Sequence, residues 1–321
     1  LTPYLANETA FKKGDFYPEI IDRFTVDNKL YVLPRDKAPI CVVYYNKDLF
    51  KAAGVTPPTD NWTWTEFLSK AKKLVKKDAQ GRVVQFGFVD DWPIWESWVL
   101  SNGGSLVDNI KNPTKCTLDK KAAYDAIQFR ADMIHKYKVM PSPSQMTAMG
   151  GMGSGDMFVS GKAGMFYSGI WKTPSFRQIK DFKWDVVMFP KGPTGVRAFS
   201  TGGSGYAITN KSKNKEAAWK LVTYLAGEKG QTQLAQTGLA QPAMKKIAES
   251  PAFLDGQDPK NKKIVLAGVK YVKFMPLVSD WEEINVSMIA PKFDKIWSGK
   301  ATAKEICQEI VPEINDSYFS E

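Results

Sequence analysis

Apolar residues recur along this chain in two patterns that predict different elements. Short continuous apolar runs bounded by turn residues are typical of buried strands. Such runs occur at Leu30–Pro34, Pro39–Tyr45, Val83–Val89, Ala163–Tyr167 and Trp184–Phe189. A weaker run, Tyr206–Ile208, predicts one more short strand.

Longer segments instead carry apolar residues at helical spacing. One begins at Thr63, which with Glu66 has the spacing of an N-terminal capping box. Further helices are predicted at Asp119–Tyr137, Asn214–Ala226, Asp280–Trp297 and Ala303–Ile310, and a loose Pro/Gly/Ser/Met loop at Pro141–Gly155. Because strands alternate with helices, the fold class predicted is α/β with mainly parallel sheets.

Two tryptophans directly follow predicted strands. Trp92 comes after the strand that ends near Val89, and Trp171 follows Ser168-Gly169, a predicted turn. In open α/β folds the ligand crevice lies at the strand ends. Each of these tryptophans is therefore a candidate for stacking on a ligand, with burial in a core as the alternative.

Length and composition narrow the class. The chain has 321 residues, which favours two domains, and it contains no apolar run long enough for a transmembrane helix. Its three cysteines lie far apart and form no CxxC motif, and His135 is the single histidine. We therefore expect no metal site and no cofactor, and three free thiols rather than a disulfide.

The net charge of +10 raises the question of whether the chain binds nucleic acid. Lysines supply most of it and are spread along helix faces, as in Lys70–Lys77, whereas arginine, which dominates specific base contacts, is scarce. A solvated basic surface is therefore favoured over nucleic-acid binding. Such a surface would also suit acidic ligands.

Enzyme templates find little support, whereas tryptophan is abundant. A single histidine leaves almost no option for a catalytic triad, and the Gly150–Gly155 run lacks the P-loop lysine. The adjacent acids Asp90 and Asp91 leave open the alternative that the chain is a glycosidase.

The ten tryptophans include several in predicted loops, and a tryptophan face suits the C–H face of a pyranose ring.

The order of several short motifs resembles the sugar-binding family of ABC-importer solute-binding proteins, the wider family of the maltodextrin-binding protein. The resemblance runs nearly end to end. It rests on Leu30-Tyr31-Val32-Leu33-Pro34, Tyr45-Asn46-Lys47-Asp48-Leu49-Phe50, Trp64-Thr65-Glu66-Phe67, Phe86-Gly87-Phe88 with Trp92, Asn102-Gly103-Gly104, Phe158 to Met165 with Gly169-Ile170-Trp171, Gly202-Gly203, and Glu216-Ala217-Ala218-Trp219.

The resemblance implies two α/β lobes of the periplasmic-binding-protein type, joined by a hinge that closes on a ligand between them. It assigns residues 1–37 and 204–250 to an N-lobe and residues 38–203 and 251–321 to a C-lobe. Crossings are expected near Arg35–Pro39, Phe199–Gly203 and Lys245–Leu254. The family's first strand–helix–strand unit is missing upstream of Leu1, so the N-lobe is expected to be incomplete.

Site residues carried over by position come from both expected lobes. Trp171 matches the family's Gly-x-Trp stacking residue, and Trp92 matches the aromatic residue after the Phe-Gly-Phe strand. The remaining positions are Arg35 and Asp36 at the first crossing, Ser204 after Gly-Gly, the aromatic Trp281, and Trp95 and Asp91 by proximity.

The function implied is a non-enzymatic, extracellular or periplasmic receptor that delivers a carbohydrate, with an oligosaccharide favoured, to an ABC permease. A monomer is expected, with no nucleic-acid partner and with membrane attachment only through an upstream lipid anchor. Three alternatives stay open at this point: a receptor for glycerol phosphate or another polyol ester, a carbohydrate-active enzyme that uses Asp90 or Asp91, and a scaffold or adhesin that has lost binding.

Overall fold

A computed structural model describes residues 1–37 and 40–319 of the chain. Within these residues the strands are β1 (Thr25–Val26), β2 (Lys29–Leu30), β3 (Leu33–Asp36), β4 (Val42–Asn46), β5 (Lys76–Lys77), β6 (Val83–Asp90), β7 (Ala163–Ser168), β8 (Trp184–Met188), β9 (Phe199–Thr201), β10 (Ser204–Tyr206) and β11 (Val272–Phe274).

The helices described are α1 (Thr2–Ala6), α2 (Pro18–Arg23), α3 (Lys47–Ala52), α4 (Trp64–Leu74), α5 (Glu96–Ser101), α6 (Lys121–His135), α7 (Pro143–Ala148), α8 (Ser154–Val159), α9 (Thr173–Phe176), α10 (Lys215–Ala226), α11 (Glu228–Thr237), α12 (Lys245–Ala248), α13 (Ile264–Gly268), α14 (Trp281–Glu283), α15 (Ala290–Trp297) and α16 (Ala303–Tyr318). Short 3-10 helices occupy Lys13–Asp15, Ile170–Lys172 and Val269–Tyr271, and a π-helical segment, Ile284–Ile289, links α14 to α15.

The chain divides into two compact units. Unit 1 comprises Leu1–Cys41, Gly169–Gln178 and Thr201–Lys270, and unit 2 comprises Val42–Ser168, Ile179–Ser200 and Tyr271–Glu321. The lobe boundaries expected from the sequence stay a prediction, and residues 38 and 39 of the expected first crossing lie outside the described residues.

Unit 1 has small sheets and many short helices. β1 and β2 form a hairpin whose turn residues, Asp27 and Asn28, both have positive φ, as a two-residue turn that follows the strand twist requires. β3 pairs antiparallel with β10, which places Ser204 opposite Asp36.

Unit 2 is built on a five-stranded sheet in the order β5-β6-β7-β4-β8. Here the predicted mainly parallel sheet is wrong. β6 and β7 are parallel, but β4 runs antiparallel to both β7 and β8, and β5 is antiparallel to β6. β4, β7 and β8 are buried throughout. A strand buried on both faces reads as an apolar run whatever its direction, so the sequence pattern could not show that β4 is reversed.

An aromatic core packs between this sheet and the helices α4, α5 and α6. The Trp64 ring stacks on Phe129 with centroids 4.5 Å apart, and Trp98 lies edge-on to Trp64 at 5.1 Å. Phe67 of α4 meets Phe88 of β6 at 4.8 Å. Trp64 and Trp98 are thus core residues, and the Trp64–Phe129 contact joins α4 to α6.

Candidate functional site

The end of strand β6 is held by a buried ion pair. Asp90, the last residue of the strand, accepts bonds from Nε and Nη2 of Arg130, both at 2.8 Å. Arg130 lies on α6, and both side chains are only 4% exposed. The guanidinium also lies over the ring of Trp297, 4.4 Å from its centroid. This bidentate, stacked geometry is specific to arginine, and it fixes the strand end against α6 and α15.

Asp91 is held in place by hydrogen bonds to the neighbouring strand, β7. Its carboxylate accepts a bond from Ser168 Oγ at 2.9 Å, and its backbone N–H donates to the carbonyl of Tyr167 at 3.0 Å. Ser168 is the last residue of β7, which runs parallel to β6. Both strands therefore end at the same edge of the sheet, and Asp91 is fixed there.

A pocket of about 260 Å³ opens beside these residues, entirely within unit 2. Its walls combine aromatic, aliphatic and acidic side chains: Val89, Asp90, Asp91, Trp92, Pro93, Arg130, Ile134, Met140, Pro141, Pro143, Met146, Ser154, Asp294 and Trp297. Trp92 is 42% exposed, an unusual state for so large an apolar ring. We call this cavity the Trp92 pocket.

Two of the sequence candidates in unit 2 are buried. Trp95 is 5% exposed and packs edge-on against Phe293, with centroids 5.2 Å apart. Trp281 is 7% exposed, and its Nε1 is buried without a hydrogen-bond partner among the described residues. The roles expected for both in ligand binding stay predictions.

Next to the pocket, Glu96 begins α5 and is buried. Burial raises the pKa of its carboxyl to about 7, with Asp90 raising it further and Arg130 opposing the shift. A carboxyl buried in this way is easier to hold neutral than charged.

The candidates of unit 1 form a second group. Arg35 Nε donates to Asp36 Oδ2 at 2.5 Å, and Asp36 is fully buried. Burial raises the pKa of Asp36, whereas Arg35 and Ser204 act in the opposite direction. Arg35, Asp36 and Ser204 are therefore in one place, at the β3–β10 pair.

Trp171 also belongs to unit 1, in the 3-10 helix Ile170–Lys172, and is partly buried. A Cβ built on Gly169 would overlap the Trp171 ring. The glycine before this tryptophan is therefore needed for the ring to fold back over the backbone. The contact of Trp171 with a ligand stays a prediction.

Sequence reasoning missed several residues of the Trp92 pocket, namely Arg130, Met146, Ser154, Asp294 and Trp297. One of them had left a signal. In the predicted helix Asp119–Tyr137, Arg130 falls at helical spacing on the same face as Ala123, Ile127 and Ile134, and an arginine on such an apolar face needs a buried partner. No pattern in the sequence indicated the others.

Within residues 1–37 and 40–319, no cluster of three or more His, Cys, Asp or Glu side chains could hold a metal ion. Cys41, Cys116 and Cys307 are buried free thiols. In the same residues, no helix has both the length and the apolar character needed to span a bilayer.

Comparison with known proteins identifies the class. A family model described as bacterial extracellular solute-binding protein matches residues 1–232, and the chain belongs to this family. The family consists of binding proteins and not enzymes. The expected resemblance is thereby confirmed at the level of the family.

Individual relatives are similar over most of the chain. A binding protein of Brucella abortus (strain 2308) is 25% identical over 92% of this chain and 70% of its own length. The galactooligosaccharide-binding protein of Bacillus subtilis (strain 168) is 27% identical over 72% of this chain and 53% of its own. The ABC substrate-binding protein Lmo0181 of Listeria monocytogenes, solved with cycloalternan, is 26% identical, with a TM-score of 0.87 over 99% of this chain and 79% of that protein. The predicted α/β fold of the two-lobe periplasmic-binding type is thus confirmed.

Proposed function

We propose that this chain binds an oligosaccharide outside the cytoplasm and delivers it to the membrane subunits of an ABC importer. The observation that carries the proposal is the Trp92 pocket, in which an exposed indole stands beside fixed carboxylates on a fold of the solute-binding class. The sugar-binding relatives support the same ligand class.

The arrangement can recognise a sugar in two ways. The face of Trp92 offers an apolar surface to the C–H face of a pyranose ring. The Asp91 carboxylate, fixed by Ser168, accepts hydrogen bonds from ring hydroxyls, and a carboxylate acceptor strengthens such bonds. Binding through stacking and hydrogen bonds requires no chemical step.

The enzyme alternative has no support in this geometry. Asp90 is fully engaged by Arg130, and a glycosidase needs two carboxyl groups that flank the scissile bond from separate positions. Of the two acids on which this alternative rested, Asp91 alone is left, and it cannot supply both groups. The prediction of a non-enzymatic protein agrees with the family to which the chain belongs.

We extend the proposal to the remaining expected residues and to the location. Trp171, Arg35, Asp36, Ser204, Trp95 and Trp281 are proposed to take part in binding, in the roles that the sequence resemblance implies. The protein is proposed to act as a monomer in an extracellular or periplasmic location, with any attachment to the membrane through a lipid anchor.

The Trp92→Ala variant tests the pocket directly. Loss of one stacking ring should weaken binding by about 1 kcal/mol, or roughly fivefold, in calorimetric titrations with maltotriose, galacto-oligosaccharides and arabino-oligosaccharides. The matched control is Tyr224→Ala on α10, which removes an exposed aromatic ring in unit 1 and should leave affinity unchanged. Equal affinity of the Trp92→Ala variant and the unaltered protein would remove the pocket from the binding site.

A further inference from the structure

A second cavity, larger than the Trp92 pocket, lies between α4 and α6 of unit 2. It is a groove of about 760 Å³. Its lining residues are Trp64, Thr65, Leu68, Ser69, Lys72, Lys73, Asn102, Asp125, Phe129, Tyr137 and Pro193, and none of them lines the Trp92 pocket. Its volume falls within the range of small-molecule sites, about 300–1,000 Å³. We call this cavity the α4–α6 groove.

One wall of the α4–α6 groove is aromatic. Trp64 and Phe129 are nearly parallel, with an interplanar angle of 11° and ring centroids 4.5 Å apart. Trp64 is 6% exposed, whereas Phe129 is only half-buried and leaves part of its ring open. Tyr137 continues the wall beyond the end of α6, 6.4 Å from Phe129 between centroids. Such a wall favours a flat apolar ligand, because aromatic rings pack well stacked or edge-on against one another.

The Tyr137 end of the groove is cationic. Lys72 Nζ lies 4.5 Å from the centroid of the Tyr137 ring, and Lys136 Nζ lies 5.4 Å from the same centroid. Lys73, which also lines the groove, follows Lys72 in the last turn of α4. In the described part of the chain, no carboxylate lies within 4 Å of any of these three ammonium groups. The ring face attracts the cations but carries no net negative charge, so their repulsion is only partly offset.

The one carboxylate of the lining is committed elsewhere. Asp125 accepts from Lys121 Nζ, one turn earlier on α6, at 2.5 Å. Ten residues, or about 15 Å of helix, separate Asp125 from His135 at the end of α6. The lysines beside Tyr137 are therefore without a counterion from the groove itself.

From this arrangement we infer that the α4–α6 groove binds a small aromatic carboxylic acid, with its ring system against Phe129 and its carboxylate beside Lys72 and Lys73. An uncharged sugar would leave the lysines without a counterion, and a small inorganic anion would leave the aromatic wall uncovered. Trp64 and Lys72 are eight residues apart on α4, about 12 Å, which gives room for a two-ring acid. This second site goes beyond the proposed function and does not depend on it.

The test uses three probes that separate charge from ring. In calorimetric titrations, 2-naphthoate carries both features, 2-naphthamide has the same rings without the charge, and octanoate has the charge without the rings. We expect 2-naphthoate to saturate one site per chain and to bind at least fivefold more tightly than either of the others. Its advantage over 2-naphthamide should narrow as salt is added.

A charge variant assigns the carboxylate to the lysines. Lys72→Gln should weaken 2-naphthoate at least threefold and leave 2-naphthamide unchanged, whereas Lys72→Arg, which keeps the charge, should retain most of the affinity. The matched control is Lys76→Gln, at an exposed position of β5 outside the groove, which should leave both affinities unchanged.

A variant that fills the groove assigns the probe to this cavity. Ser69 is exposed on α4 and lines the groove, so Ser69→Trp should abolish binding of 2-naphthoate without disturbing the core. Circular dichroism checks that this variant is folded. Unchanged binding in folded Ser69→Trp would overturn the assignment, as would loss of binding in Trp92→Ala, which would place the probe in the Trp92 pocket.

The remaining outcomes overturn the ligand class or the site. Equal affinity for 2-naphthoate and 2-naphthamide would show that the lysines do not select an acid, and octanoate binding as tightly as 2-naphthoate would show that the rings do not select an aromatic body. Absence of saturable binding of 2-naphthoate to the folded protein would remove the site. None of these results bears on sugar binding in the Trp92 pocket, so the proposed function is tested separately.

Discussion

At the scale of single residues, the surroundings of the Trp92 pocket combine one ion pair with one carboxyl whose pKa is raised. Asp90 and Arg130 satisfy each other, whereas Glu96 is 7% exposed and has a pKa raised to about 7 by burial. A carboxyl with a raised pKa binds its proton more tightly in the folded than in the unfolded chain. The free energy of unfolding therefore depends on pH through Glu96.

This linkage predicts how stability changes with pH. Because the folded state holds the extra proton, the Glu96 contribution is fully present below about pH 4.5 and is lost as pH rises towards 7, by about 3 kcal/mol at most. Glu96→Gln, which stays neutral, should flatten this part of the curve of unfolding free energy against pH, measured by urea denaturation between pH 5 and 8. Curves of identical slope for the two proteins would contradict a raised pKa of Glu96 in the folded protein.

At the scale of elements, α4 packs so closely on β6 in unit 2 that a glycine, Gly87, is needed at the point of contact. A Cβ built on Gly87 of β6 would overlap the backbone of Ala71 in α4. α4 itself begins with the predicted capping box, in which Glu66 Oε2 accepts from the Thr63 backbone N–H at 2.8 Å and Thr63 Oγ1 accepts from the Glu66 N–H at 3.3 Å. The start of the helix is thus fixed locally, whereas its distance from the strand is fixed by packing.

Gly87→Ala should therefore destabilise the protein by about 1–3 kcal/mol, because the helix must move away from the strand. The matched control is Gly14→Ala in unit 1, where the added Cβ meets no atom within 4 Å and where the change should stay within about 0.5 kcal/mol. Chemical denaturation of both variants measures the difference. Equal midpoints for Gly87→Ala and the unaltered protein would show that α4 does not press on β6.

Several elements could be predicted from the sequence because their signals are local. The strands Val83–Asp90 and Trp184–Met188 and the helix Lys121–His135 agree with the predicted ones within a few residues. The predicted loop at Pro141–Gly155 instead contains the helix Pro143–Ala148, capped by Ser142, and the start of a second one. These helices are short and lack an apolar stripe, so periodicity could not indicate them.

The candidate site was harder to predict from the sequence than the helices and strands, for physical reasons. Asp90 and Arg130 are 40 residues apart, and only folding shows that one neutralises the other. Among the tryptophans, position after a strand left both stacking and burial open for Trp92, which is 42% exposed, and no pattern showed that Trp62, whose Nε1 donates to the Met188 carbonyl at 2.6 Å, is a core residue. Burial depends on which helices cover a strand end, which is a property of the fold.

At the scale of the whole molecule, a solute-binding protein should bind its sugar reversibly and return it unaltered. The family, the fold and the Trp92 pocket all support this reading. The net positive charge of the chain adds nothing to this reading, because none of its lysines lines the pocket and the arginine that does, Arg130, is paired with Asp90. The proposed function thus rests on a site of a few fixed residues, on a fold that many binding proteins share.

The most direct measurement is a calorimetric titration of the protein with the neutral oligosaccharide panel, followed by release and chromatography of the bound sugar. The account predicts saturable binding of one sugar class at one site per chain, with the sugar recovered at its original length. Shortened or modified sugar would indicate an enzyme. Absence of binding to every sugar by a demonstrably folded protein would contradict the proposed function.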